Sequence, residues 1–229
     1  MNVYTFWEGP MPSYIKLCLN TWHFPFEIIN YDTLKQYTDF DIDRAKRFTL
    51  PQIADCVRVH VLRDNGGYWL DTDTICIADK LPKENIMGYP DTRAHTIGML
   101  HTESHADMYE KWAAFQDEII SRDETPKHWA TMGNAFTDAY ISSHPEIRIG
   151  DIYTRWPETY MIPGDAGRYE KYIELYFNSE NDLEDLEPTD ILMLHNSWIP
   201  DWYKQLSKDS VLNNNCTLSN ILRKLICNT

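Results

Sequence analysis

From Thr49 to Asp73 the chain reads as a helix, a tight reversal and a buried strand that ends in two carboxylates. Thr49-Leu50-Pro51-Gln52 has the form of a capping box, in which the Thr and Gln side chains satisfy the first free backbone N–H groups. Proline is tolerated in that first turn. Ile53, Val57 and Val61 then recur at i, i+4 and i+8, the period of a helix with one buried face. Asp55 and Arg58, three apart, share another face of the same helix. Asn65-Gly66-Gly67 ends it, because glycine adopts the left-handed backbone that closes a helix. Tyr68-Trp69-Leu70 reads as a strand, Asp71-Thr72-Asp73 follows directly, and residues 74–77 continue in β-type residues.

The rest of the chain alternates in the same way, which predicts an α/β sheet. Residues 3–7 read as a strand stopped by Gly9-Pro10, residues 13–22 as a helix and residues 26–31 as a second strand. Residues 104–120 form a helix with Met108, Trp112, Phe115 and Ile119 on one side, and Ser104 with Asp107 resembles a capping box. A further helix is expected over 164–177, and a solvated acidic loop over 178–188 around Glu184. Residues 190–194 read as a buried strand leading into His195-Asn196-Ser197-Trp198. The last helix, 217–226, carries Leu218, Ile221, Leu222 and Leu225 on one side and Arg223 and Lys224 off it.

Charge and cysteine content narrow the partners. With 21 Lys and Arg against 35 Asp and Glu, the formal net charge is −14 over 229 residues, which argues against nucleic acid. Apolar residues at 43% are too many for a disordered chain. No run of eighteen apolar residues offers a membrane span. The first eight residues lack the basic and apolar regions of a signal peptide. Five scattered cysteines without a Cys-x-x-Cys pair fit a reducing cytoplasm and no zinc site.

Three Asp-x-Asp pairs occur: Asp39/Asp41, Asp41/Asp43 and Asp71/Asp73. The first two lie in a polar stretch with no strand before them and read as a solvated loop. The third sits at the carboxyl end of an apolar strand, where ligands bind in open α/β sheets. Carboxylates there suit a hard divalent cation. Transfer of a group away from a diphosphate needs such a cation, because negative charge grows on the leaving oxygen. A charge pair at 4 Å in an effective dielectric near 20 is worth about 4 kcal/mol. If the strand ends in a bend, one carboxylate can take the metal and the other the sugar or ribose hydroxyls.

At these residues the sequence resembles a known family. Ile53-Ala54-Asp55-Cys56-Val57-Arg58, followed by Leu62-Arg63-Asp64-Asn65-Gly66-Gly67-Tyr68-Trp69-Leu70-Asp71-Thr72-Asp73, resembles the signature of the Asp-x-Asp sugar-transfer region. Glycosyltransferase family 32, the bacterial capsular polysaccharide synthesis proteins and, distantly, the glucosylating domains of large clostridial toxins share it. Their pattern is Ser-Asp-x-x-Arg on a helix, then Leu-x-x-x-Gly-Gly-x-Tyr/Trp-x-Asp-x-Asp. Ala54 stands here where Ser is usual. Val3-Tyr4-Thr5-Phe6-Trp7-Glu8-Gly9 is similar to the family's opening strand, which ends in Trp-x-Gly, and His195-Asn196-Ser197-Trp198 to its closing His/Asn-x-Ser-Trp segment.

The resemblance implies a retaining, metal-dependent glycosyltransferase of one GT-A type, Rossmann-like domain over 1–229, with a mixed central sheet flanked by helices. Residues 1–80 would bind the nucleotide sugar, and 81–229 would supply the acceptor side and the closing segment. Trp7 would stack on the nucleotide base. Asp55 and Arg58 would hold sugar hydroxyls and the diphosphate side, and Asp71 would contact ribose or sugar; these three are the expected catalytic set. Tyr68 would join the donor site. Asp73 would ligate Mn²⁺ or Mg²⁺. His195, or Asn196 or Ser197, would complete the metal and phosphate shell, and Trp198 would lie over the donor. Asn134 and Asp138 fall where the family has a glycine-containing acceptor loop. The donor would be a nucleotide sugar, UDP- rather than GDP-linked, and the acceptor a glycan or lipid-linked oligosaccharide.

Plainer readings stand beside these. Asp55 and Arg58 alone would be a helix ion pair worth a few tenths of a kcal/mol. A single His195 is more often structural than a ligand, and Trp7 alone could be a core aromatic. A haloacid-dehalogenase-like phosphatase also uses paired Asp after a strand, but its motif continues in Thr or Val where Ile75 stands here. A silent nucleotide-sugar or glycan binding protein is the non-enzymatic alternative. Lipid-linked acceptors would place the chain at the inner face of the membrane, where the 217–226 helix could dock or merely cap the core. Nothing in the sequence indicates the oligomeric state.

Overall fold

The computed structural model describes residues 2–88, 95–122, 125–144, 147, 149–151, 167–185 and 190–227. In chain order the elements are β1 (Val3–Phe6), α1 (Ser13–Asn20), β2 (Glu27–Ile29), α2 (Ile42–Ala45), α3 (Leu50–Asn65), β3 (Gly67–Leu70), β4 (Thr74–Cys76), β5 (Ile86–Gly88), β6 (His95–Thr102) and α4 (Asp107–Ser121). There follow α5 (Asn134–Ser143), β7 (Ile149–Asp151), α6 (Arg168–Ile173), β8 (Ile191–Met193), α7 (Asp201–Lys204), α8 (Lys208–Leu212) and α9 (Thr217–Cys227).

Six strands form one mixed sheet in the order β2-β1-β3-β6-β5-β7. β1 runs parallel to β2 and β3, whereas β6 is antiparallel to both β3 and β5. Side chains on β3 alternate between the two faces: Tyr68 and Leu70 join one core cluster with α1 and α9, and Trp69 joins the other with α3 and α4. The expected α/β class, a mixed central sheet flanked by helices, is therefore present.

The capping box at Thr49 and Gln52 forms, with Pro51 in the first turn. Gly66 caps α3 at φ 64°, and Gly67 opens β3 at φ 92°. A Cβ on Gly66 would stand 2.5 Å from the Ser104 backbone nitrogen, and one on Gly67 2.5 Å from the Asn2 carbonyl oxygen. Both the backbone angle and the close approach demand glycine here.

The strand expected to continue through 74–77 does not continue. The Asp71 N–H donates to the Gly98 carbonyl at 2.8 Å, and the Thr74 N–H closes a turn onto the Asp71 carbonyl at 3.0 Å. β4 then leaves the main sheet and pairs antiparallel with β8. The bend brings the segment after β8 beside Asp73, since the Leu194 N–H donates to the Asp73 carbonyl at 3.0 Å.

Three expectations shift at the edges. α4 begins at Asp107 with no side-chain cap, so Ser104 caps nothing. The chain before α4 instead braces the Gly66 turn, the His105 N–H donating to the Arg63 carbonyl at 2.7 Å. Of the helix expected over 164–177, α6 continues into a wider π turn, Glu174–Asn178, and residues 164–166 lie outside the described residues. Glu184, expected to be merely solvated, pairs with Lys224. The apolar side of α9 is core: Leu218, Ile221 and Leu222 are fully buried. No helix among the described residues is long and apolar enough to cross a membrane.

Candidate active site

The site grows from the carboxyl end of β3. Trp69 and Asp71 are two residues apart and point to the same side, and the Trp69 indole N–H donates to Asp71 Oδ1 at 2.9 Å. Arg58, from the middle of α3, donates through Nη2 to the same oxygen at 2.6 Å. Its Nη1 lies 3.4 Å from Asp55 Oδ1, one helical turn back. The guanidinium also stands over the Trp69 ring, 5.4 Å from its centre.

Burial decides what this chain of charges can do. The Arg58 and Asp55 side chains are only 5% and 11% exposed, against 35% for Asp71. Arg58 thus lies beneath Asp71 and fixes it, and Asp71 is the carboxylate that faces outward. One guanidinium serves three carboxylates once Asp73 is counted, so the cluster carries excess negative charge. Burial, only partly opposed by Arg58, pushes the Asp55 carboxyl up to about 7. Burial and the neighbouring Asp71 raise Asp73 in the same direction.

Two glycines make room for these carboxylates. A Cβ on Gly98 would come 2.9 Å from Asp71 Oδ2, and one on Gly133 2.7 Å from Asp55 Oδ2. Gln116 ties the second contact down, its amide donating to the Asp55 carbonyl at 3.1 Å and to the Met132 carbonyl at 2.6 Å.

Residues 195–198 close over Asp73 from the other side. The Asn196 N–H donates to Asp73 Oδ2 at 2.8 Å. The fully buried Tyr14 of α1 donates its hydroxyl to Asn196 Oδ1, and the His195 N–H donates to the Tyr172 hydroxyl at 3.3 Å. The His195 ring packs 4.4 Å from Trp198, and burial lowers its pKa to about 3, so the imidazole is neutral. Trp198 also meets Tyr172 and Tyr169 edge-on. Ser197 is exposed on this turn.

Asp55, Arg58, Asp71, Asp73, His195, Asn196, Ser197 and Trp198 are therefore brought together. Trp7 follows β1 at the same sheet end, half-buried, with its indole N–H on the Gly9 carbonyl at 3.2 Å. Tyr68 is not brought in: it sits at the amino end of β3, its ring stacked 4.1 Å from His101. Asn134 and Asp138 lie on α5 beside His95, and Asn134 directly follows the Gly133 that borders Asp55. Asp41 caps α2 by accepting the Asp43 N–H, and Asp43 pairs with Lys46, so the other two Asp-x-Asp pairs are surface structure. Tyr14 and Gly98 carry no local pattern that would mark them in the sequence, whereas Gly133 lies in the glycine-containing loop that the resemblance implies.

Among the described residues no three His, Cys, Asp or Glu side chains form a metal cage. The donor set still fits Mg²⁺ or Mn²⁺, which are held by one or two carboxylates together with substrate phosphates.

The family model described as "Capsular polysaccharide synthesis protein" matches residues 3–149, and the chain belongs to that family. Similar solved structures include one described as "PaToxG Glycosyltransferase", 18% identical with a TM-score of 0.45, covering 63% of this chain and 68% of that one. Another is the apo-form glycosyltransferase GlyE of Streptococcus pneumoniae TIGR4, 11% identical with a TM-score of 0.41, covering 93% of this chain and 62% of that one. No curated protein matches.

Proposed function

We propose that the chain is a metal-dependent, retaining hexosyltransferase of the GT-A type. It moves a hexose from a UDP-linked donor to a hydroxyl of a bacterial surface glycan. The observation that carries this reading is the Asp55–Arg58–Asp71 chain meeting Asp73 and Asn196 at the bend after β3. In the reaction the bond from the sugar's anomeric carbon to the diphosphate oxygen breaks, and its electron pair leaves with the diphosphate. The acceptor hydroxyl supplies the new oxygen and passes its proton to the departing diphosphate.

Asp71, held by Arg58 and Trp69, receives the donor's sugar or ribose hydroxyls. Arg58 is a positioning residue, and its buried charge offsets part of the negative charge at the bend. Asp73, fixed by Asn196, would hold the cation, which would offset the charge of the departing diphosphate; His195, whose ring packs on Trp198, is a second donor only on the family resemblance. Trp7 and Trp198 are the apolar walls for base and donor. Retention, the UDP preference and the glycan acceptor rest on the family resemblance. Lipid-linked acceptors would put the chain at the membrane's inner face without requiring α9, whose apolar side is in the core.

The test is NMR of the product formed from an α-linked UDP-hexose panel with Mn²⁺. An α-linked product supports the reading. A β-linked product overturns retention, and donor binding without turnover on any acceptor makes the protein a silent binder.

A further inference from the structure

A single exposed aromatic is ordinary on a protein surface. Trp129 differs in how it is held. At 64% it is the most exposed of the large apolar side chains among the described residues, yet its backbone is anchored from both sides. It opens a short 3₁₀ turn, Trp129–Met132. The Gln52 amide of α3 donates to the carbonyls of Pro126 at 3.1 Å and His128 at 3.3 Å. At the other end the Met132 carbonyl accepts from Gln116 at 2.6 Å and from the Trp112 indole at 3.0 Å. Gly133 then rests on Asp55. Two buried glutamines and a buried tryptophan thus fix a turn whose own tryptophan faces water.

Its place is on the ligand side of the sheet. α3 runs opposite to β3, because a two-glycine turn joins them, and Arg58 of α3 meets the carboxyl end of β3. Residues before Arg58 on α3 therefore lie outward from the sheet's carboxyl edge. Gln52 is six residues before Arg58, about 9 Å further out along the axis.

The neighbour of Trp129 completes the chemistry. The His128 ring stacks beside it at 5.8 Å, and the Ala130 N–H donates to His128 Nδ1 at 3.2 Å. With Nδ1 accepting, the ring proton sits on Nε2, and the exposed ring can donate it. An aromatic face beside a hydrogen-bond donor matches a pyranose, which has an apolar C–H face and hydroxyls on its rim.

We propose that His128 and Trp129 form a saccharide subsite that seats the acceptor glycan outside the carboxylate cluster. Its assignment to the acceptor rests on the transferase reading above; its saccharide chemistry does not. The test labels the eight tryptophans with 5-fluorotryptophan and assigns the Trp129 line by its loss in Trp129→Phe. The probes are the methyl α- and β-pyranosides of glucose, galactose, mannose and N-acetylglucosamine, at up to 50 mM. The Trp129 line moves with at least one of them. Saturation transfer to that glycoside's C–H protons falls at least threefold in Trp129→Ala, while the thermal midpoint stays in place. A Trp129 line that no glycoside moves overturns the proposal, as does one that moves only with protein concentration, which marks self-association. Failure of the transferase reading looks different: the glycoside moves the Trp129 line, but the wild-type protein releases nucleotide from no donor sugar.

Discussion

At the residue scale the two kinds of Asp-x-Asp pair behave oppositely. Asp73→Ala removes most donor cleavage and weakens metal-dependent donor binding, both measurable by nucleotide release and titration calorimetry. Asp41→Ala removes the cap of a four-residue helix, costs about 1 kcal/mol and leaves activity unchanged. A large activity loss in the second variant would mean that the wrong pair is assigned. Tyr14→Phe loses the bond to Asn196 and so loosens the grip on Asp73. It raises the Mn²⁺ concentration needed for half-maximal rate several-fold with little change in the saturated rate. Asp73 was legible from the strand before it. Tyr14 was not, because its partner lies 182 residues away and no local pattern encodes that.

Among the elements, the turn between α3 and β3 sets everything that follows. Gly66→Ala places a Cβ against backbone at a positive φ, and neither yields. It lowers the urea midpoint by the equivalent of more than about 2 kcal/mol. The helix, its cap and this turn were readable because each is a local signal of periodicity, capping box or glycine. The end of β3 was not, since β4 is as β-prone as a continuation of the same strand. What breaks the strand is the turn back onto the Asp71 carbonyl and the pairing of β4 with β8, a contact more than a hundred residues distant. The carboxylate pair depends on that break, because side chains two apart on a straight strand point the same way.

For the whole molecule, buried acids tie stability and metal binding to pH. The Asp55 carboxyl is raised from 3.8 to about 7, so the folded state favours its neutral form. That stabilisation is full below pH 4 and is lost as pH rises toward 7, by a few kcal/mol at most. Asp55→Asn therefore flattens the dependence of the urea midpoint on pH between 4 and 8. Asp73 is raised too, so protons compete with a cation there, and apparent Mn²⁺ affinity climbs from pH 6 to pH 8. The most direct test of the central claim is nucleotide release from a panel of UDP- and GDP-sugars, with Mn²⁺ or chelator, in wild type and Asp73→Ala. Metal-dependent release from one donor, lost in chelator and in the variant, is the predicted result. Release that persists in Asp73→Ala, or proceeds equally in chelator, would contradict the account.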